Sequence, residues 1–148
     1  MNQKASSFFS LAEKEDIKMA IRHAELDTSG EIRVHVETTC AGDVMDRASR
    51  LFAKLNMHKT RLRNGVLIYL AIRNRKFAII GDMGINAVVP DRFWNLVESE
   101  MLNQFRENHF TDGLIRAIDM TGQQLKKHFP YITNDINELP DDISFSDE

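Results

Sequence analysis

The sequence predicts an α/β fold, with a central mixed sheet made of a β-α-β unit and an antiparallel hairpin and covered by about four helices. Two apolar runs, residues 66–72 (VLIYLAI) and 77–80 (FAII), are separated by a short polar stretch. Runs this short and this apolar are typical of buried strands, so we interpret them as a hairpin. The alternative, one strand over residues 66–80, would far exceed the usual strand length of about 5–6 residues. A third segment, residues 31–38, alternates apolar and polar side chains, and a helical period separates it from the first run.

Composition indicates a single globular domain. The chain has 148 residues, of which 43% are hydrophobic and 28% are charged, and both fractions are ordinary for a globular protein. We expect an N-terminal arm (residues 1–10), one folded domain (11–129) and an acidic C-terminal tail (130–148). No apolar run approaches the roughly 20 residues of a membrane-spanning helix, and the first ten residues contain no hydrophobic signal segment. The sequence therefore predicts no membrane span and a cytoplasmic location.

Charge is unevenly distributed along the chain. All 19 Lys and Arg residues precede position 130, whereas six of the 22 acidic residues follow it. Neither part has the charge balance of a nucleic-acid-binding protein, so no nucleic-acid partner is expected. Two basic clusters, within residues 54–63 and 73–76, are either solvated surface or sites of anion recognition. The single cysteine, Cys40, excludes an internal disulfide, and we interpret it as a small apolar residue.

Residues 10–26 have the features of an amphipathic helix. Ser10 and Glu13 form the pattern of a capping box, in which each side chain accepts a hydrogen bond from the backbone N–H of the other residue. Apolar residues then recur at helical spacing, at Ile17, Ile21 and Ala24. The segment DTSG (residues 27–30) is expected to end the helix.

The first strand is expected to bury one face and leave the other polar. Its side chains alternate, with Ile32, Val34 and Val36 on one face and Arg33, His35 and Glu37 on the other. We interpret His35 as exposed or salt-bridged rather than as a metal ligand or a base. Asp43 can cap a second helix that runs to about Leu55. A helix between two neighbouring strands makes them parallel, with a right-handed crossover.

The remaining turns and helices have recognisable end signals. Asn74 suits the turn of the hairpin, because asparagine tolerates a left-handed backbone. Asp91 is expected to cap a third helix and Thr111 a fourth, which ends near Pro130. From Asn134 onward the chain is acidic and only weakly apolar, which predicts a mobile tail that the fold does not need.

This topology places several polar side chains at one end of the sheet. The parallel strands begin at Glu31 and Gly65, and the third strand, antiparallel to its neighbour, returns to the same end at Asp82. The third helix begins just beyond, at Asp91. We therefore expect Glu31, Asn64, Asp82 and Asp91 to lie together, and their oxygens are suitable ligands for Ca²⁺ or Mg²⁺. The alternative is that these residues only cap helices and form turns.

Four short motifs in these regions resemble a known family. They are TSGEI (residues 28–32), NGVLI (64–68), GDMG (81–84) and FTDGL (110–114). Their order and spacing resemble those of the TPM domain, which is named for a thylakoid lumen protein, a photosystem II repair protein and a nematode receptor auxiliary protein. The resemblance extends from about Leu11 to Phe129 and is closest to small single-domain bacterial members.

The resemblance implies an α/β sandwich around a mixed sheet. It also implies acid phosphatase activity in some plant and bacterial members and a divalent ion near the loops in some; other members act as assembly or receptor accessories. Typical members have Asp-Asn-Gly where this chain has Arg63, Asn64 and Gly65. A carboxylate of the family is thus replaced by a cation, which makes a direct phosphate contact by Arg63 conceivable. Asp82 is a candidate replacement for the missing carboxylate.

Two functions are therefore expected. The first is a binding or accessory module for a protein partner, with a divalent-ion or anion site at one end of the sheet. The second is a metal-dependent acid phosphatase acting on small phosphate monoesters, with Ca²⁺ or Mg²⁺ as the implied cofactor. In that alternative Asp82 and Asp91 are catalytic and Arg63 and Asn64 bind phosphate. The metal ligands would be Glu31, Asn64, Asp82 and Asp91.

Overall fold

The computed structural model describes residues 3–131 and 143–147. Within these residues, a four-stranded sheet is surrounded by six α-helices and one short 3₁₀ helix. In chain order the elements are α1 (Ala5–Phe8), α2 (Leu11–Glu25), β1 (Glu31–Glu37), α3 (Val44–Lys54), the 3₁₀ helix (Met57–Lys59), β2 (Gly65–Ala71), β3 (Lys76–Gly81), α4 (Met83–Asn86), α5 (Phe93–Arg106), α6 (Phe110–His128) and β4 (Ile143–Ser146). Helices α2, α3, α5 and α6 are the four long ones. None of the described helices has the length and apolarity needed to cross a bilayer.

The strand order β3-β2-β1-β4 confirms the predicted mixed sheet and adds one strand to it. Strands β1 and β2 are parallel, with Glu31 opposite Gly65, and α3 forms the crossover between them. Strands β2 and β3 form the predicted antiparallel hairpin, with Val66 opposite Gly81. The starts of β1 and β2 and the end of β3 therefore lie at the same end of the sheet.

The hairpin turn differs from its predicted form at one residue. The left-handed backbone falls on Arg75, with φ 53°, and not on Asn74. The Asn74 side chain instead accepts a hydrogen bond from the backbone N–H of Cys40 at 2.6 Å. Asn74 thus ties the hairpin turn to the loop after β1, a long-range contact that turn preferences do not reveal.

Both faces of the sheet are covered by helices. Helices α2, α5 and α6 pack on the face that carries Val34 and Ile68, and α3 packs on the face that carries Leu67 and Tyr69. The polar face of β1 carries Arg33, His35 and Glu37 as predicted, but it is covered, since His35 and Glu37 are buried on the side of α3. Arg47 of α3 covers that face at Glu37, and β4 adjoins β1 at the edge of the sheet, where Ser144 and Ser146 contact His35.

Two of the four predicted helix caps are present. Ser10 and Glu13 form the capping box of α2, and Asp43 accepts from two backbone N–H groups at the start of α3. The predicted caps of the last two helices are wrong. Helix α5 begins after a turn that includes Asp91, and Thr111 lies inside α6, where its hydroxyl donates to Glu13 Oε2 at 2.9 Å.

Part of the predicted N-terminal arm forms a helix that packs on the core. Residues 5–8 form α1, and the side chains of Ala5 and Phe9 are buried in the main core. The backbone N–H of Ala5 also donates to the Thr38 hydroxyl at 2.9 Å, just after the end of β1.

The expectation of a mobile tail from Asn134 onward is wrong for residues 143–146. These form β4, which pairs in parallel with β1 and places Val34 opposite Ile143. Ile143 is buried, and the Lys14 ammonium lies 4.9 Å from the centre of the Phe145 ring. Apolar Ile143 and Phe145 alternate with two serines, a period that a strand requires. The rest of the predicted tail between residues 132 and 142 lies outside the described residues.

Candidate functional site

Three of the four predicted site residues lie at the same end of the sheet. Glu31 donates its backbone N–H to the carbonyl of Asn64 at 3.4 Å, and Asp82 donates its own to the carbonyl of Gly65 at 3.0 Å. All three side chains are nearly buried, with exposures of 3% for Glu31, 1% for Asn64 and 7% for Asp82. The parallel and antiparallel pairings of β2 therefore bring them together as predicted.

Asp82 is bound by a cation from within the chain. Arg63 Nε donates to Asp82 Oδ2 at 2.7 Å and Arg63 Nη2 donates to Oδ1 at 2.9 Å, a bidentate ion pair. The backbone N–H of Met83 also donates to Oδ1 at 2.8 Å. Both carboxylate oxygens are thus engaged, and the charge of Asp82 is compensated within the fold.

Backbone contacts fix the position of Arg63. Its φ is 53°, and its carbonyl oxygen accepts from the N–H groups of Gly84 at 2.8 Å and Ile85 at 3.3 Å. A Cβ on Gly84 would lie 2.1 Å from the carbonyl oxygen of Leu62, so only glycine permits this close approach. The GDMG motif thus serves to hold the loop that carries Arg63 against α4.

Asn64 is buried beside this ion pair. Its backbone N–H donates to the Thr60 hydroxyl at 3.2 Å, and its side-chain Nδ2 donates to the Ser29 hydroxyl at 3.3 Å. Among the described residues, its Oδ1 atom has no hydrogen-bond partner. A buried amide oxygen in this state is a point where the site can accept a further polar ligand.

The fourth predicted residue, Asp91, lies elsewhere. It is exposed and lines a shallow cavity of about 200 Å³ together with Asn86 and Trp94. Asp82 lines a different cavity of about 360 Å³, whose other walls include Phe52, His58 and Arg63. Because α5 begins only at Phe93, after an intervening turn, Asp91 is carried away from the end of β3.

The residues at this end of the sheet do not fit a divalent cation as they stand. Within residues 3–131 and 143–147, no group of three or more His, Cys, Asp or Glu side chains is arranged to hold a metal ion. Asp91 lines another cavity, and the Arg63 guanidinium already occupies the side of Asp82 that would face a cation.

A second polar cluster, which sequence reasoning missed, lies at the opposite end of β1. Arg47 Nε donates to both carboxylate oxygens of Glu37, at 3.1 and 3.0 Å, and the Tyr69 hydroxyl donates to Glu37 Oε2. Burial alone raises the pKa of Glu37, but the hydrogen bonds from Arg47 and Tyr69 outweigh it and lower the pKa overall. The crossover rule was a usable signal, because it places the first turn of α3 beside the end of β1.

His35 links this cluster to β4. Its Nδ1 and Nε2 atoms lie 2.7 Å from the Ser144 hydroxyl and 3.0 Å from the Ser146 hydroxyl, and its ring is parallel to that of Tyr69. Burial, together with the positive charges of Arg47 and Arg33, lowers the pKa of His35 to about 4, although Glu37 opposes the shift. The interpretation of His35 as exposed or salt-bridged is therefore wrong; it is a neutral residue bonded to two hydroxyls.

Comparisons with known proteins identify a family and similar folds. The family model described as the TPM domain matches residues 3–124. The NMR structure of the BA42 protein from the psychrophilic bacterium Bizionia argentinensis is similar, with a TM-score of 0.88 and 46% sequence identity over 97% of this chain and 99% of that chain. No curated protein matches the chain.

Two more distant structures share the fold. The N-terminal domain of a protein from P. gingivalis has a TM-score of 0.71 and 18% identity, over 86% of this chain and 84% of that chain. The N-terminal domain of the cg2496 protein from Corynebacterium glutamicum has a TM-score of 0.66 and 13% identity, over 84% of this chain and 82% of that chain. At such identities the likeness concerns the fold alone.

Proposed function

The chain belongs to the TPM domain family, and on that premise we propose that it is a binding or accessory module that recognises an anionic group of a partner protein. The proposed recognition site is the cavity beside Arg63 and Asp82. A shared fold does not by itself define an activity, so the proposal depends on the residues of this site.

The observation that carries the proposal is the bidentate Arg63–Asp82 ion pair. Where typical family members have an aspartate, this chain has Arg63. The Arg63 guanidinium pairs with the carboxylate of Asp82 and compensates its charge. The Arg63 side chain is still 40% exposed, so it can contact a ligand without leaving Asp82. Its charge and fixed backbone suit a carboxylate or phosphate group better than a metal ion.

The cavity has the size and lining of a site for such a group. It measures about 360 Å³, and His58, which is exposed, lines it together with Arg63 and Ser49. A carboxylate or phosphate of a partner protein could therefore bind between Arg63 and His58.

The proposal is tested by titrating the ¹⁵N-labelled protein with inorganic phosphate. We expect amide shifts confined to residues near Arg63 and His58. Arg63→Lys keeps the charge but loses the bidentate geometry, and it should weaken binding several-fold; His58→Gln should weaken it as well. Lys59→Gln is the matched control, since Lys59 does not line the cavity, and it should have little effect. Equal losses in all three variants, or no localised shifts in the wild type, would contradict an anion site here.

The second candidate is metal-dependent hydrolysis of phosphate monoesters, as in some members of the family. One observation favours it: the buried Oδ1 atom of Asn64 has no hydrogen-bond partner among the described residues. An amide oxygen of this kind can coordinate Ca²⁺ or Mg²⁺. A cation at this position would first have to displace Arg63 from Asp82.

Turnover of p-nitrophenyl phosphate separates the two candidates. We expect no hydrolysis above the buffer rate with calcium, with magnesium or with chelator. If the wild type is active with one ion and Asp82→Ala is not, while its melting temperature changes little, the hydrolase replaces the binding module. Asp91→Ala serves as the comparison, because Asp91 lies in a different cavity and should leave any such activity unchanged.

A further inference from the structure

A small apolar cavity lies near the hairpin turn, away from the Arg63–Asp82 pair. It measures about 100 Å³, and its apolar walls are Leu70, Phe77, Leu102, Phe105 and Phe110. Leu70 is paired with Phe77 beside the turn, whereas Val66, at the Asp82 end, is paired with Gly81. At the usual rise of a strand, these two pairs are about 13 Å apart along β2.

The aromatic walls have a defined arrangement. The rings of Phe77 and Phe105 meet edge to face at 5.2 Å, and those of Phe105 and Phe110 are stacked at 5.2 Å. Gly113, inside α6, gives the Phe105 ring its space, because a Cβ there would lie 2.5 Å from a ring carbon. A glycine within a helix is unfavourable relative to alanine, and here it allows the ring to lie directly against the α6 backbone.

Two arginines line the same cavity. Arg75 and Arg106 are both exposed, and among residues 3–131 and 143–147 neither guanidinium forms an ion pair. Arg75 also has a left-handed backbone, with φ 53°, which is uncommon for a residue with a long side chain.

We propose that this cavity binds a small organic carboxylate: an apolar group of phenyl or isobutyl size enters between the phenylalanines, and the carboxylate binds Arg75 and Arg106. An apolar cavity of about 150 Å³ accommodates benzene, so a smaller cavity that opens to solvent suits one ring or one branched alkyl group. The two guanidiniums, which form no ion pair within the described residues, supply the charge complement. This site is separate from the anion site proposed beside Arg63, and neither depends on the other.

Such a ligand is either a free organic acid or the C-terminus of a peptide that ends in an apolar residue. Both present the same chemistry, and the titration distinguishes them. The ¹⁵N-labelled protein is titrated with 3-phenylpropionate and with N-acetylphenylalanine, and with the neutral amide of each. We expect both acids to shift the amides of residues that line the cavity, and each acid to bind about tenfold more tightly than its amide.

Variants locate the two halves of the site. Arg75→Gln combined with Arg106→Gln should weaken binding of the acids by about tenfold and leave that of the amides unchanged. Arg73→Gln is the matched control, because Arg73 is exposed on the same hairpin and does not line the cavity. Leu102→Trp, at a partly exposed wall, should fill the cavity and abolish binding of all four compounds. The amide spectra of the variants report whether each remains folded.

The proposal is overturned if neither acid shifts the lining residues at millimolar concentration. It is also overturned if the amides bind as tightly as the acids, or if Arg73→Gln weakens binding as much as the double variant. Tighter binding of N-acetylphenylalanine identifies a peptide terminus as the ligand, and tighter binding of 3-phenylpropionate identifies a free acid; either result supports the site.

Discussion

At the scale of single residues, His35 illustrates how burial changes the role of a titratable group. It lies between Tyr69 and two serines of β4, with Arg33, Arg47, Lys54 and Glu37 as its charged neighbours. Burial holds its pKa at about 4, whereas an exposed histidine titrates near pH 6.5. His35 is therefore neutral in the folded protein, and it serves as a hydrogen-bonding bridge between β1 and β4.

We expect this shift to make the stability of the protein depend on pH. Between pH 6.5 and about 4 the unfolded chain binds a proton at His35 that the folded chain does not, so the unfolding free energy decreases as the pH falls through this interval. After allowance for solvent screening, the loss should be about 2 kcal/mol. Urea unfolding at several pH values measures it.

The matched variants are His35→Gln and His58→Gln. Glutamine at position 35 keeps hydrogen-bonding capacity without the titration, so its stability should change less than that of the wild type in this interval. His58 is exposed, so its replacement controls for the loss of an imidazole that is not buried. An identical pH profile for His35→Gln and the wild type would refute the assignment.

Gly84 gives a second prediction at this scale. Gly84→Ala places a methyl group against the carbonyl oxygens of Leu62 and Arg63, at 2.1 and 2.6 Å, and the backbone must move to relieve the clash. We expect a loss of about 2–3 kcal/mol in the unfolding free energy. Gly42→Ala is the control, since a Cβ at Gly42 has nothing within 4 Å, and it should change stability by less than about 0.5 kcal/mol. Similar melting temperatures for the two variants would contradict the proposed role of Gly84.

At the scale of secondary-structure elements, β4 is the strand that the composition of the C-terminal segment did not predict. The segment is short, follows an acidic stretch and comes near the end of the chain, all of which favour a mobile tail. Its partner is β1, more than a hundred residues earlier, and the Ser6 backbone N–H and hydroxyl secure its end by donating to Asp147 at 2.8 and 2.6 Å. The alternation of apolar residues and serines in β4 has a structural role only because the edge of β1 is available for pairing.

We expect β4 to contribute to stability. A chain that ends at Tyr131 loses the burial of Ile143 and Phe145 against the main core, which should lower the unfolding free energy by about 2–4 kcal/mol. For a protein of this size, that corresponds to a fall of several degrees in the melting temperature. Asp147→Asn, which weakens only exposed hydrogen bonds, is the control and should have a small effect. Equal melting temperatures for the truncated and full chains would show that β4 is dispensable.

At the scale of the whole molecule, polar chemistry is divided between the two ends of one sheet. The Arg63–Asp82 pair lies where β1 and β2 begin, and the Glu37–Arg47–Tyr69 cluster lies where they end. Between them, both faces of the sheet are packed against helices. Two apolar clusters, one on each face of the sheet, thus separate two polar regions that share no side-chain partner among residues 3–131 and 143–147.

We therefore expect perturbations at the two ends to be independent. The stability loss of Gly84→Ala combined with removal of residues 132–148 should equal the sum of the separate losses within about 0.5 kcal/mol, because distant sites without common partners are additive. Denaturant unfolding of the wild type, the two single variants and the combined variant provides this double-mutant cycle. A larger deviation would indicate that the ends are coupled through the sheet.

Local sequence patterns were sufficient for much of the architecture. The capping box of α2, the cap at Asp43, the hairpin and the β-α-β crossover depend on neighbouring residues and on fixed periods, and all were predicted. The convergence of Glu31, Asn64 and Asp82 followed from topology alone. The TPM domain motifs also indicated the family that the comparison identified.

Other features were decided only by the tertiary structure. Arg63 binds Asp82, nineteen positions later, and His35 binds Ser144, 109 positions later. From the sequence alone, several other cations could pair with Asp82 and several other hydroxyls could bond to His35. Which of them does so depends on distances that are set by packing. The position of Asp91 depends on the turn before α5. In that turn Arg92 has a left-handed backbone, a conformation that an arginine in the sequence does not predict. The sequence thus determined which elements form and which ends meet, whereas the tertiary structure determined which charges are paired there, because pairing depends on distances that no local period specifies.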